Sequence, residues 1–168
     1  MSQELRVKLI GPPAAYIGDE PVSGFVSIKA QALLFYLAAT GQTHRRDALA
    51  ALLWSDVPDR VARKNLRDVL FNLRQLVGPF LIITRYEVGL DPDAPTIIDS
   101  HYLSQTLSAV RGTQPLPANV SANALQTLTE AADPCQGEFL AGFYAPDAPL
   151  FEEWMLAERE HLRLELAN

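Results

Sequence analysis

Residues Arg60–Val77, RVARKNLRDVLFNLRQLV, constrain the fold more than any other stretch of this chain. At helical spacing Ala62, Leu66, Val69, Leu70, Leu73 and Val77 fall on one side, and Arg60, Arg63, Lys64, Arg67, Phe71 and Arg74 on the other. Such a helix has to lay its apolar side on a small core, and it leaves a cationic side free for phosphates and base edges. Arg and Lys stems also cover apolar surface on an ordinary solvated helix. The neighbouring segments have to decide between the two readings.

Taken whole, the formal net charge of −6 opposes nucleic-acid binding. The distribution does not. Residues 43–78 hold seven of the fourteen Lys and Arg against four acids, whereas residues 86–168 hold three basic and thirteen acidic groups. Beyond about 10 Å at ~0.1 M salt these fields are largely screened from each other. A basic module can therefore coexist with an acidic one. With 48% hydrophobic and 20% charged residues over 168 positions, the chain can bury a core of one or two small domains and is not disordered in composition. Cys135 is the only cysteine, which excludes an intramolecular disulfide or a cysteine-cluster zinc site and fits a reducing cytoplasm. Met1–Ile10 carries no secretory pattern, and no apolar run reaches membrane-spanning length, so no membrane association is expected.

Leu5–Ile10 alternates as a strand and is broken by Gly11-Pro12-Pro13. Ala14–Ile17 and Pro21–Phe25 read as further strands around a Gly18-Asp19 turn. Ile28–Thr40 reads as a helix stopped by Gly41, and Arg45–Trp54 as a second with Leu49, Leu52 and Leu53 inward. Asp59 is placed to cap the third helix, which ends at Gly78-Pro79. Phe80–Thr84 and Glu87–Leu90 form a hairpin with Arg85 and Tyr86 at its tip. Sheet, three helices and hairpin make a helix-turn-helix layout with a candidate wing, in which the third helix would enter the major groove. DPDAP (Asp91–Pro95) reads as a linker, followed by helices over Asp99–Val110, Ser121–Ala132 and Pro149–Leu166. The expected class is α+β: a winged helix-turn-helix with a small amino-terminal sheet and a β-hairpin wing over residues 1–95, then an all-α segment over 96–168.

The chain resembles the SARP/AfsR-type transcriptional activators of bacteria, which join an OmpR-type winged helix to a bacterial transcriptional activator domain. The resemblance is carried by KAQALLFYLAATG (Lys29–Gly41), HRRDALAALLW (His44–Trp54), ARKNLRDVLFNLRQLVG (Ala62–Gly78), LIITR (Leu81–Arg85) and GEFLAGFYAPDAPLFEEWMLAEREHLR (Gly137–Arg163), five segments in order across nearly the whole chain. It implies that the second domain is built like tetratricopeptide repeats and continues through further helices, of which about half are present here. It also implies double-stranded DNA and RNA polymerase as partners, and two copies of the chain head to tail on direct repeats. The final helix is then expected to carry an exposed apolar strip, with Phe151, Trp154, Met155, Glu158, Leu162 and Glu165 inward and Glu152, Glu153, Arg159, Glu160 and Arg163 wet.

Arg60, Lys64 and Arg67 are the first candidates for DNA contact. Arg63 and Arg74 lie at the flanks, suited equally to phosphate or to a salt bridge within the module. Asn72 suits adenine recognition or a backbone hydrogen bond. Phe71 suits a thymine methyl or a partner surface, and Asp68, which repels phosphate, suits tuning of base choice or pairing with a neighbouring Arg. Arg85 matches the basic tip of the family's wing. His44, Arg45 and Arg46 suit phosphates or a solvated helix start. Trp54 suits the core. His101 and His161 stand in no metal-ligand spacing, no nucleophile or cofactor motif is present, and neither metal nor cofactor is expected. These features favour a sequence-specific DNA-binding regulator over an enzyme, and over a winged helix used only for protein contacts.

Overall fold

A computed structural model of the protein describes residues 3–101 and 138–167. Strand β1 (Leu5–Lys8) follows the expected alternation, β2 (Ala14–Ile17) lies where expected, and β3 is a pair of residues, Glu20–Pro21, rather than Pro21–Phe25. Helix α1 (Ile28–Thr40) begins where the Ser27 hydroxyl accepts from the Ala30 N–H and stops where Gly41, at φ 64°, donates to Leu37 O. A left-handed residue is needed there, and glycine supplies it without strain. Strand β4 (His44–Arg45) leads directly into α2 (Arg46–Leu53), so the second helix starts one residue later than the sequence suggests. Helix α3 spans Asp59–Val77, and Asp59 is its first helical residue rather than its cap. The carboxylate still favours this end through the helix dipole. A short 3-10 turn at Gly78–Phe80 leads into β5 (Leu81–Ile83) and β6 (Glu87–Leu90), then β7 (Thr96–Ile98), and helix α4 covers Pro149–Ala167. The expected helix at Ser121–Ala132, most of that at Asp99–Val110, and Cys135 lie outside the described residues.

Two small sheets result. The first has the order β3-β2-β1-β7 and the second β4-β6-β5. Strand β7 runs parallel to β1, with Leu5 opposite Thr96 and Val7 opposite Ile98. The residues beyond DPDAP therefore complete the amino-terminal sheet, where the sequence reading had a linker running straight into a helix. The chain after β1 is gripped again by the carboxyl-terminal segment. Ile10 bridges Phe139, Leu140 N–H donates to Leu9 O at 2.7 Å, and Gly11 N–H donates to Glu138 O at 2.8 Å.

One hydrophobic cluster runs through both parts, from Leu5, Leu9 and Leu34 to Phe139, Leu140 and Phe151. Asp99 is fully buried within it; its carboxylate accepts from the N–H groups of Leu9 at 2.8 Å and Ile10 at 3.0 Å. On α4, Phe151, Met155 and Leu162 are buried, while Leu150, Leu156 and Leu164 are exposed. Glu153, Glu160 and Arg163 interleave with them, so the outer side carries separate leucines rather than an unbroken strip. Two residues expected to stay wet turn inward. Glu152 accepts from Ala145 N–H at 2.7 Å, and half-buried Arg159 donates to Phe139 O at 2.7 Å and Leu140 O at 2.8 Å. Leu140 sits at φ 50°, a conformation disfavoured for a bulky side chain, and the bonds to its N–H and carbonyl hold it there.

Candidate nucleic-acid interface

Helix α3 buries Ala62, Leu66, Val69, Leu70, Leu73 and Val77, the apolar side read from the sequence. Arg60, Arg63, Lys64, Arg67, Phe71 and Arg74 are all exposed. Phe71 is 65% exposed, too open for a core role. Lys64 pairs with Asp68 at 3.0 Å, one helical turn on. Of the two roles open to Asp68, the pairing one falls to Lys64 rather than to an Arg, because the i,i+4 geometry favours it. Both side chains are solvated, so the pair is weak and Lys64 can exchange it for a phosphate. Arg60, Arg67 and Arg74 make no ion pair with another described residue. Arg63 points to the edge of the face, lining a groove of about 500 Å³ with Asp47, Asp59, Trp54 and Leu150.

Asn72 behaves differently. Its Oδ1 accepts from Val26 N–H at 2.8 Å and its Nδ2 donates to Gly24 O at 3.1 Å. The amide thus staples the loop before α1 to α3. That corrects its candidacy as an adenine reader, because both polar ends are committed to backbone. The staple also brings Val26, 63% exposed, beside α3. No local sequence signal marks that contact, which joins residues 46 apart.

The hairpin tip is ordered by Thr84. Its hydroxyl accepts from the N–H groups of Tyr86 at 3.2 Å and Glu87 at 2.9 Å. Arg85 and Tyr86 project from this turn, the guanidinium carbon 5.7 Å from the ring centre. Both are exposed.

Of the remaining candidates, Arg45 is exposed and within 3.9 Å of Asp47. Arg46 is tied to the hairpin: its Nε donates to Thr84 O and its backbone N–H to Tyr86 O, both at 2.8 Å. His44 is half-buried, shares a 2.7 Å hydrogen bond with Thr40 Oγ1, and lies against the Tyr36 ring at 4.9 Å. Burial pushes its pKa below the usual 6.5. The ring is turned inward and engaged by Thr40 and Tyr36, which sets His44 apart from the open cations of α3. The sequence placed it at an open helix start; the strand pairing His44↔Val88 is what turns it in. Trp54 is buried, as expected, with the Lys29 ammonium 5.4 Å from its ring centre. Among the described residues no cluster of His, Cys, Asp or Glu could hold a metal ion, and no helix is long and apolar enough to cross a membrane.

No known protein family matches the chain, and no curated protein is similar to it in sequence. Among solved structures it is similar to Mycobacterium tuberculosis EmbR in complex with a low-affinity phosphopeptide, with a TM-score of 0.62 and 19% identity. The fold is EmbR-like. The match covers 98% of this chain and 44% of the EmbR chain, so the protein spans less than half of EmbR's length. At this identity the likeness to EmbR establishes a shared mixed α and β fold. The SARP/AfsR resemblance itself rests on the five segments quoted above.

Proposed function

We propose that the protein is a sequence-specific, DNA-binding transcriptional regulator of the SARP kind. In this reading α3 enters the major groove, and Arg60, Lys64, Arg67 and Arg74 meet phosphates and base edges. The β5–β6 hairpin acts as the wing, with Arg85 on backbone or minor groove. Arg45 reaches phosphates from the start of α2. Residues 1–95 carry these contacts. The strongly acidic sequence that follows β7, which ends in α4, is the activator-type segment, available to RNA polymerase. Two copies lie head to tail on direct repeats.

The observation that carries the reading is the exposed cationic side of α3, with Arg85 as a second basic point on the neighbouring hairpin. The test begins with selection of a bound site from random DNA, followed by affinity measurements across salt concentrations. Affinity should fall steeply with salt, and Arg67→Ala should reduce the log–log slope by about 0.9, the value for one phosphate contact. A wild-type slope near zero would sink the reading.

Phe71 and Val26 favour a second reading, in which this side docks a protein. Phe71→Ser separates the two. In the first reading it changes base preference at one position or weakens DNA binding; in the second the wild type selects no DNA site, and the substitution weakens capture of a protein partner instead.

A further inference from the structure

The β5–β6 hairpin is short, and a two-stranded hairpin is marginally stable by itself. Its third strand is β4, only His44 and Arg45, paired with Val88 and Glu87. What locates β4 therefore locates the wing. The His44 side chain is held by Thr40 Oγ1 and by the ring of Tyr36, both on α1. Tyr36 also meets Trp154 of α4, edge-on at 4.7 Å and 73°. Trp154 is itself fixed by Phe139 at 5.6 Å and Phe151 at 5.4 Å. The Tyr36 hydroxyl is pushed above its usual pKa, first by burial and then by the negative charge of Glu158, one helical turn beyond Trp154 on α4.

We propose that Trp154 is a positioning residue for the wing: through Tyr36 and His44 it fixes strand β4, and β4 fixes the hairpin that carries Arg85. The acidic helical segment is then a brace for part of the interface, although none of its own residues meets DNA. The DNA half of this inference rests on the proposed function; the mechanical half does not.

The test uses the full chain. Hydrogen exchange is followed at the Arg46 amide, which donates to Tyr86 O across the β4–β6 pair, and at Leu70 in the middle of α3. Trp154→Leu keeps an apolar side chain and loses the ring contacts. It should lower protection at Arg46 by about twofold to tenfold, the range expected for an aromatic contact of this kind, and leave Leu70 unchanged. Trp154→Phe should restore it. If Trp154→Leu does not fold, Tyr36→Leu takes its place in the same comparison. Unchanged protection at Arg46, or an equal loss at Leu70, overturns the inference. On a selected DNA site, Trp154→Leu added to Arg85→Ala should weaken binding no further than Arg85→Ala alone, whereas added to Arg67→Ala the losses should multiply. Multiplying losses in both pairs would overturn the wing assignment. If the wild type binds no DNA, the proposed function falls, and the exchange data alone decide whether Trp154 holds the hairpin.

Discussion

Asp99 offers a quantitative test of the junction between sheet and helical segment. Its carboxyl is fully buried, and burial raises its pKa from 3.8 to about 6. The hydrogen bonds from the Ile10, Leu9 and Ser100 N–H groups and the charge of Lys8 pull the other way and lose. A raised carboxyl pKa means that the folded state binds the proton more tightly than the unfolded state. The contribution of Asp99 to stability is therefore full below pH ~3.8 and is lost as pH rises through about 6. A shift of roughly two units corresponds to about 3 kcal/mol in full, of which about 1.4 kcal/mol is present at pH 5 and almost none at pH 7.5. Many other acids titrate over the same range, so the quantity to measure is the difference between wild type and Asp99→Asn. Urea unfolding of both at steps from pH 5 to 7.5 gives it. Wild type should gain about 1.4 kcal/mol on the variant as pH falls across that range. A flat difference, or a gain with rising pH, would show that the backbone hydrogen bonds outweigh desolvation and that the reasoning about Asp99 is wrong.

Other outcomes follow from single contacts. Asn72→Ala removes both bonds of the loop staple and should cost about 1–2 kcal/mol in thermal unfolding, while selected DNA sites keep the same base preferences. Relaxed preference at one base would mean that Asn72 reads DNA after all. Gly89→Ala places a Cβ 2.7 Å from Thr43 Cγ2 and 2.9 Å from Thr43 Cα, against backbone that cannot swing aside. The overpacking should cost about 2–3 kcal/mol, or about 5–10 °C in melting temperature; a melt within a degree of wild type would show that the β4–β6 region has slack.

Local pattern exposed the elements that make their own case. The Ala- and Leu-rich run with Gly41 behind it gave α1 its bounds, and the apolar period of α3 named its buried residues without exception. The same period showed which cations are exposed. It could not show which polar groups are engaged, because the engaging partners are remote in sequence. Asn72 bonds to Gly24 and Val26, Arg46 to Thr84, and Arg159 to Phe139 and Leu140. Strands β4 and β7 escaped for a related reason. A strand of two or three residues has no periodicity to detect, and each exists because a distant strand supplies its hydrogen bonds.

The position of β1 has a consequence for how the molecule is made. Its first edge meets β2 almost at once, but its second waits for β7, and Leu9 waits for Asp99, ninety residues later. At about 5–20 residues per second, that wait lasts about 5–20 s of synthesis. Leu9 and Gly11 then wait again for residues 138–141. Strand β1 thus leaves the ribosome well before its second edge is filled, and until then it travels as an open edge able to recruit a neighbouring chain. On crowded polysomes such open edges lie side by side, which favours aggregation there.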